Sequence, residues 1–261
     1  MKQGSLWIVG TGFLAAGQTT PEAVVCIERA EKLFHMVSDP VAWAWLKELN
    51  PTAESLHDCY AEGKSRHQSY AEMAERMLAP VRQGLNVCAA FYGHPGVFVT
   101  PSHAAIHQAR REGHVAQMLP GISAEDCLIA DLGIDPAQYG CQSFEASYFL
   151  TRRVRFDLHT SLILWQIGAV GVTSYSRDSL WSQEGLDVLQ EFLLEHYPAD
   201  HPVTVYQAPQ LPVFAPIIQP VPLSGLSQAN VSVASTLYVP PAGPPPLNLE
   251  MLDRLGMPRP S

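Results

Sequence analysis

The sequence predicts an α/β protein with two domains. Short runs rich in β-branched residues alternate with stretches of helical periodicity, which is typical of α/β layers rather than of separate α and β blocks. The chain has 261 residues, of which 47% are hydrophobic, enough for one large core or two ordinary ones. Pro120-Gly121 follows a predicted strand and precedes a new helix, so we place the domain boundary there.

Strands are expected where β-branched and apolar residues cluster, near residues 6–9, 33–37, 86–92, 114–118, 161–166, 203–206 and 231–239. Helices are expected to begin near residues 20, 69, 102 and 123. Thr19 to Glu22 and Ser69 to Glu72 have the spacing of capping boxes, and Ser102 and Ser123 stand where N-caps belong.

This pattern divides the chain into three parts. Residues 1–119 are expected to form an N-terminal α/β domain and residues 120–241 a C-terminal α/β domain. The proline-rich run at 240–246 continues neither a strand nor a helix. Residues 242–261 are therefore expected to be a Pro-rich segment with one short helix over 247–255.

The composition argues against several classes of protein. Twenty-five acidic residues against sixteen basic ones give a net charge of −9, which repels a phosphate backbone, so no nucleic-acid partner is expected. No apolar run reaches the length of a bilayer span and no signal-peptide region follows Met1, so we expect a cytoplasmic protein without a membrane partner. Five scattered cysteines without a CxxC pair are typical of reduced thiols.

His103 and His107 lie four residues apart on a predicted helix, a spacing that occurs in metal sites. The residues between them include no acid and no third ligand is indicated, so no metal is expected.

The loop after the first strand, residues 8–15, fits the pattern G-x-G-x-x-A, with Asp39 at the end of the second strand. A nicotinamide dehydrogenase is therefore an alternative. That function requires a helix that opens directly on the glycines, whereas residues 17–21 delay it. A second interpretation is a purely structural tight turn in which Gly10 and Gly12 permit close packing. A third places the same turn beside a catalytic cleft at the carboxyl ends of the strands, and we favour this one.

A second loop, residues 92–98, combines Gly93, Pro95 and Gly96 in a bend with few side-chain atoms. Backbone groups there can reach a compact ligand, and Tyr92 and Val97 supply an apolar wall. His94 either contacts the ligand or is a structural histidine bonded to its own turn.

Four stretches together resemble the tetrapyrrole methylase superfamily, and within it the borosin peptide-backbone α-N-methyltransferases. They are Gly10-Thr11-Gly12, Tyr92 to His103, Met118 to Gly133 and Ser235 to Pro241. The resemblance implies a two-domain tetrapyrrole methylase-like fold, with S-adenosyl-L-methionine bound in the cleft between two α/β domains, within a homodimer. It places around the methyl donor Tyr92, His94, Val97, Ala124, Gln166, Ala208, Ser235 and Thr236, to which we add Gly10, Gly12, Ser123 and Tyr206.

The resemblance also implies catalytic residues at Tyr60, Arg66 and Tyr70, with Tyr92 bridging donor and substrate. A peptide nitrogen becomes nucleophilic only when its proton is lost and the charge on the carbonyl oxygen is stabilised. We hypothesise that Tyr60 or Tyr70 takes the proton and that Arg66 stabilises the oxygen. Arg66 and a helix N-terminus expected at Tyr70 would lower the pKa of a tyrosine toward usefulness.

In two positions this chain departs from some family members, which have a tyrosine at the position of His57 and an aromatic residue at that of Cys59. We therefore expect different contacts with the substrate there.

The expected substrate is a ribosomally made precursor peptide. Fused borosin enzymes end in their own substrate peptide, whereas this sequence stops at Ser261, so we expect a separate precursor supplied in trans. The expected assembly is a homodimer, alone or as a heterotetramer with two precursors. The alternatives are a superfamily relative that methylates a corrinoid or another small molecule, and the NAD-dependent oxidoreductase. A corrinoid ring carbon has no evident need for the tyrosine and arginine set.

Overall fold

The computed structural model describes residues 3–37, 39–173, 175, 181–211 and 213–259. Strands and helices alternate along them, which confirms the predicted α/β class. The strands are β1 Ser5–Gly10, β2 Lys32–Met36, β3 Glu54–Ser55, β4 Asn86–Phe91, β5 Val115–Met118, β6 Cys141–Glu145, β7 Ser161–Trp165, β8 Pro202–Gln207, β9 Ile217–Pro222 and β10 Thr236–Val239. The helices are α1 Ala15–Gln18, α2 Pro21–Arg29, α3 Pro40–Leu49, α4 Arg66–Arg82, α5 Thr100–Arg111, α6 Ala124–Leu132, α7 Pro136–Tyr139, α8 Ala146–Thr151, α9 Gln183–Leu194 and α10 Leu249–Leu255.

The chain forms two compact units. The first comprises Met1–Gly133, Gly171–Ser182 and Tyr206–Ile218, and the second Ile134–Val170, Gln183–Val205 and Gln219–Ser261. The first unit thus runs beyond the boundary expected at Pro120-Gly121. Among the described residues, no helix is long and apolar enough to cross a membrane.

The first sheet has the strand order β3-β2-β4-β1-β5, and its strands are parallel. Alternate residues of β4 enter two different cores, because successive side chains in a strand point to opposite faces. Val87 and Ala89 pack with Met73 and Met77 of α4, whereas Cys88 and Ala90 belong to the core that contains residues of α2 and α3. Helices on both faces bury a parallel sheet in this way.

Parallel pairing in the first sheet also decides where the loops lie. Gly10 ends β1 opposite Phe91, the last residue of β4, and Ile8 pairs with Met118 at the end of β5. The loops that follow these three strands therefore leave the sheet at the same edge.

The second sheet is mixed, with the order β6-β7-β10-β8-β9. β6 runs parallel to β7, and β10 runs antiparallel to β7 with Leu237 opposite Leu164. Of the strand predicted over residues 231–239, only Thr236–Val239 is a strand. The Ser232 carbonyl accepts a hydrogen bond from the backbone N–H of Ser235, so this part of the segment forms a turn.

Two of the predicted helix starts are confirmed. α2 begins at Pro21 with Thr20 as its cap, one residue later than the expected Thr19 cap. α6 begins at Ala124 and has a complete capping box between Ser123 and Asp126.

The starts expected at residues 69 and 102 are wrong by one turn or less. α4 begins at Arg66, where Ser65 and Gln68 form the capping box, and Ser69 is buried inside the helix. α5 begins at Thr100, and the buried Ser102 donates instead to backbone carbonyls. A serine in the first turn of a helix and a serine at its N-cap have the same sequence pattern, which explains both errors.

Removal of the Ser65 cap should destabilise α4. Ser65→Ala deprives the Gln68 N–H of its side-chain acceptor, so we expect the free energy of unfolding to fall by about 1 kcal/mol. Ser65→Asp keeps an acceptor and should remain within about 0.5 kcal/mol of the unsubstituted protein. Urea unfolding followed by circular dichroism measures both changes. Equal stability of all three proteins would contradict the assigned cap.

Candidate functional site

Three glycines bring the loops after β1, β4 and β5 into direct contact. A Cβ atom on Gly10 would overlap the carbonyl oxygen of Gly93 and would lie 2.8 Å from Pro95 Cδ. A Cβ atom on Gly121 would lie 3.0 Å from Gly10 Cα and 3.0 Å from the same oxygen. Only residues without a side chain allow the backbones to approach so closely.

The backbone N–H groups of the glycine loop after β1 donate hydrogen bonds to other groups of the protein. Thr11 donates to the Phe91 carbonyl at 2.9 Å, and Gly12 exchanges two backbone hydrogen bonds with Gly93. The side-chain oxygen of Gln18 accepts from Phe13 at 2.7 Å and from Leu14 at 3.0 Å. A pyrophosphate needs such N–H groups, so their engagement argues against the dinucleotide alternative.

Asp39, the ribose-binding acid of that alternative, is the N-cap of α3. Its carboxylate accepts hydrogen bonds from the backbone of Val41 and of Ala42. Its oxygens thus stabilise a helix start.

The loop at residues 92–98 is fixed from within and from α5. His94 Nδ1 accepts from the Gly96 N–H at 2.9 Å, which is the structural role anticipated for this histidine. Ser102 Oγ donates to the Pro95 carbonyl, and His103 Nε2 lies 2.8 Å from the Gly96 carbonyl oxygen. The loop is therefore bonded to itself and to the first turn of α5.

Apolar side chains of this loop remain exposed. Tyr92, Val97 and Phe98 are 52%, 38% and 51% exposed, respectively. Phe98 also has a φ of 56°, an unusual backbone conformation for a residue other than glycine. A rigid loop with exposed apolar side chains has the properties of a ligand-binding surface.

The other expected donor contacts of the first unit have different surroundings. Ser123 caps α6, and Ala124 begins that helix. Tyr206 is fully buried and donates to Asp131 at 2.7 Å, and burial together with this carboxylate raises its pKa. Ala208 lines a groove of about 440 Å³ formed by Asp39, Pro40, Gln207, Ala208, Pro209, Gln210, Leu211, Phe214, Ala215 and Ile217. The Tyr206 hydroxyl is therefore hydrogen-bonded inside the protein.

The three expected contacts of the second unit lie close together. Gln166 follows β7 in the left-handed conformation, with a φ of 59°. The next residue, Ile167, donates its N–H to the carbonyl of Ser235, and both Ser235 and Thr236 are buried. Pairing of β7 with β10 explains this proximity.

The predicted catalytic residues form a cluster in the first unit. The Tyr60 and Tyr70 rings meet edge to face, with centroids 6.4 Å apart. Tyr92 and Arg66 both influence the ionisation of Tyr60 electrostatically. The structure therefore brings together the four residues that family resemblance selected for catalysis.

The pKa shifts of Tyr60 and Tyr92 are opposite in direction to the lowered tyrosine pKa expected from the sequence. The pKa of Tyr60 is raised, chiefly by burial and next by Tyr70 and Tyr92, while Arg66 makes the smallest contribution and lowers it. The pKa of Tyr92 is also raised, first by desolvation at its hydroxyl, even though half of the residue is exposed. Tyr70 lies in the second turn of α4 rather than at its N-terminus. For Tyr60 and Tyr92, the increase in pKa caused by desolvation is therefore larger than the decrease caused by the Arg66 guanidinium.

Arg66 differs from the arginines near it. Arg76 pairs with Glu54 and Asp58, and Arg82 pairs with Glu75 and Glu112. Arg66, the partly exposed first residue of α4, forms no ion pair or side-chain hydrogen bond with any residue that the structure describes. Its guanidinium can bind an external acceptor without breaking a pair with any of the described residues.

Two residues that matter here were not selected from the sequence. Gly121 completes the glycine contact, whereas the sequence placed Pro120-Gly121 at the domain boundary and within the family resemblance without giving Gly121 a role in the site. Tyr175 stacks on Tyr60 with ring centroids 5.1 Å apart and an angle of 19° between the rings. The sequence gives no signal for Tyr175, because it lies far along the chain from Tyr60 and outside any motif.

No group of three or more histidine, cysteine or acidic side chains suited to a metal ion occurs in the described part of the chain. His103, one of the two histidines considered for this role, contacts the loop at residues 92–98.

Comparison with known proteins identifies related sequences and folds. The profile of the Tetrapyrrole (Corrin/Porphyrin) Methylases matches residues 5–208. The methyltransferase and cyclic peptide omphalotin A precursor of Omphalotus olearius is 42% identical over 258 residues, covering 97% of this chain and 62% of the relative. A methyltransferase and type I borosin cyclic peptide precursor of Serendipita vermifera subsp. bescii is 41% identical over 264 residues, covering 98% and 64%. The chain thus spans less than two thirds of the length of these curated relatives.

Solved structures share the fold at low sequence identity. Uroporphyrin-III-C-methyltransferase from Thermus thermophilus aligns with a TM-score of 0.66 and 18% identity, covering 98% of each chain. The cobalamin biosynthetic enzyme cobalt precorrin-4 methyltransferase aligns with a TM-score of 0.66 and 15% identity, covering 91% of this chain and 95% of the other. These similarities show the fold alone.

The glycine contact predicts a large difference between two glycine substitutions. Gly10→Ala forces a methyl group against the Gly93 carbonyl, so we expect a loss of at least about 2 kcal/mol in unfolding free energy. Gly17→Ala is the matched control, because nothing lies within 4 Å of its Cβ position. It should leave stability unchanged or slightly raised. Thermal unfolding measures both, and a Gly10→Ala variant as stable as Gly17→Ala would contradict the close approach.

Proposed function

Because this chain belongs to the tetrapyrrole methylase family, we propose that it is a methyltransferase that transfers methyl groups from S-adenosyl-L-methionine to backbone amide nitrogens of a peptide. The observation that supports the acceptor most directly is Arg66, which has no internal partner among the described residues and lies beside interacting tyrosines. The names of the relatives, which describe methyltransferases joined to cyclic peptide precursors, support the same class of acceptor.

The loops after β1, β4 and β5 fit the methyl donor. Contacts among Gly10, Gly93 and Gly121 leave backbone rather than side chains where these loops meet. The exposed Tyr92 and Val97 offer apolar surface to a nucleoside. When bound, S-adenosyl-L-methionine supplies an electrophilic methyl group on a sulfonium sulfur. We expect the first unit to hold it through Gly10, Gly12, Tyr92, His94, Val97, Ser123, Ala124 and Ala208, with Tyr206 supporting the end of β8.

The tyrosine and arginine cluster supplies what an amide acceptor requires. A peptide nitrogen is a weak nucleophile because its lone pair is delocalised into the carbonyl group. In the proposed mechanism, Arg66 and the positive N-terminal end of α4 stabilise the charge that develops on the carbonyl oxygen. Tyr60 or Tyr70, in its phenolate form, accepts the amide proton or relays it to the other tyrosine, whose ring lies in edge-to-face contact.

We also propose that the peptide is supplied in trans to a homodimer of this chain. The relatives are named as methyltransferases joined to their precursors, so a peptide supplied in trans is a different arrangement from theirs. With a substrate in trans, the chain methylates an added peptide and leaves its own mass unchanged. Size-exclusion chromatography with light scattering measures the number of subunits.

The experiment that tests the function incubates the chain with S-adenosyl-L-methionine and a synthetic peptide from the C-terminal segment of the Omphalotus olearius precursor. Tandem mass spectrometry then locates added methyl groups. Methyl groups on backbone nitrogens support the proposal. Methylation of uroporphyrinogen III, with none on this peptide or on a panel of other apolar peptides, would overturn it and favour a tetrapyrrole acceptor.

Arg66 should be needed for turnover more than for donor binding. We expect Arg66→Ala to lower kcat by about 100-fold, the scale of losing one group that stabilises an oxyanion, with a change of less than about threefold in the Kd for the donor. Arg29→Ala removes an exposed arginine at the end of α2 and serves as the control. Steady-state kinetics and calorimetry measure both quantities. Normal kcat in Arg66→Ala with saturating donor would refute the assigned role.

The pH dependence should identify the base. A raised pKa keeps the proton on Tyr60 at neutral pH, so its anionic fraction increases as pH rises and remains small up to about pH 10. We expect kcat/KM to rise continuously between about pH 7 and pH 10. If Tyr60 is the base, Tyr60→Phe removes this slope, whereas a slope that survives in Tyr60→Phe and disappears in Tyr70→Phe identifies Tyr70. A flat profile above pH 8 in the unsubstituted enzyme would contradict a tyrosine base.

A further inference from the structure

Tyr175 contacts the tyrosine cluster through its ring and its backbone. The ring is stacked on Tyr60 with centroids 5.1 Å apart. Its carbonyl accepts from the Gly63 N–H at 3.0 Å, and its N–H donates to the Lys64 carbonyl at 3.3 Å. These contacts lie within the first unit, to which residues 171–182 belong.

These contacts restrict both ends of the segment between Tyr60 and α4. Tyr60 has Tyr175 against one ring face and the Tyr70 ring at 78° to it. Lys64 donates to the Cys59 carbonyl at 2.8 Å and pairs with Glu72 of α4. Because Gly63 and Lys64 come directly before the Ser65 cap, the backbone of Tyr175 fixes the turn from which Arg66 emerges.

We propose that Tyr175 is a positioning residue for methyl transfer, which holds Tyr60 and Arg66 at the separation that the amide acceptor requires. This inference rests on the proposed function. The stacked ring restricts Tyr60 to one orientation and shields it from water, while the two backbone hydrogen bonds hold the start of α4. Tyr175 acts through these neighbours and takes no proton itself.

Substitutions of the Tyr175 ring separate stacking from other roles. Tyr175→Phe keeps an aromatic face and should stay within about twofold of normal kcat. Tyr175→Ala loses the stacked pair, and we expect kcat to fall by about tenfold with KM for the donor within about twofold. Tyr139→Ala, which removes an exposed tyrosine of the second unit, is the control. Unchanged kcat in Tyr175→Ala overturns the proposal, as does an equal loss in Tyr175→Phe, which would assign the effect to the hydroxyl.

A spectroscopic measurement tests the geometry without turnover. With 3-fluorotyrosine incorporated only at position 60, the stacked Tyr175 ring should shift the fluorine resonance through its ring current. Tyr175→Ala should remove that shift, Tyr175→Phe should retain it, and Tyr139→Ala should have no effect. An unchanged resonance in Tyr175→Ala overturns the proposal even if kcat falls.

The two measurements also distinguish failure of this proposal from failure of the proposed function. If the unsubstituted enzyme methylates no peptide, the function is refuted and Tyr175 has no peptide methylation to position, whatever the resonance shows. If the enzyme is active and neither kcat nor the resonance responds to Tyr175→Ala, only the role of Tyr175 is refuted.

Discussion

The close approach of three glycines is the constraint on which the candidate site depends. Gly10 ends β1, Gly93 follows the adjacent parallel strand β4, and Gly121 follows the edge strand β5 beside β1. Parallel pairing brings the three loops to one edge of the sheet, but only glycine lets them touch backbone to backbone. The loop at residues 92–98 is thereby held against its neighbours with its apolar side chains exposed.

Burial and positive charge have opposite effects on the pKa of Tyr60 in the tyrosine cluster. Burial keeps Tyr60 protonated, and the guanidinium of Arg66 only partly offsets it. Tyr60 and Tyr92 therefore carry no permanent phenolate that would compete with an acceptor for Arg66. In the proposed mechanism, Arg66 thus remains available for the carbonyl oxygen of the acceptor. The proposed activity therefore depends on a cation with no ion pair among the described residues and, if Tyr60 is the base, on a small phenolate fraction that increases with pH.

The fold class was predictable from local patterns. The alternation of strands and helices and the Ser123 cap follow from motifs along the chain, whereas Tyr60 and Tyr70 were selected by family resemblance and their role stays a prediction. The sequence could not reveal the direction of the pKa shifts, because desolvation depends on packing by distant segments. Tyr175 was missed for the same reason, since its contact with Tyr60 is tertiary. The capping error at Ser69 arose because Ser65 and Ser69 both precede residues able to complete a box.

Amide hydrogen exchange, measured with and without S-adenosyl-L-homocysteine, tests most directly whether the glycine contact creates the donor site. We predict slower exchange on ligand binding in residues 92–98 and in the adjoining segments near Gly12 and Ala124. Binding of the ligand with unchanged exchange throughout residues 92–98 would contradict this role of the glycine contact, because the donor would then lie elsewhere on the protein.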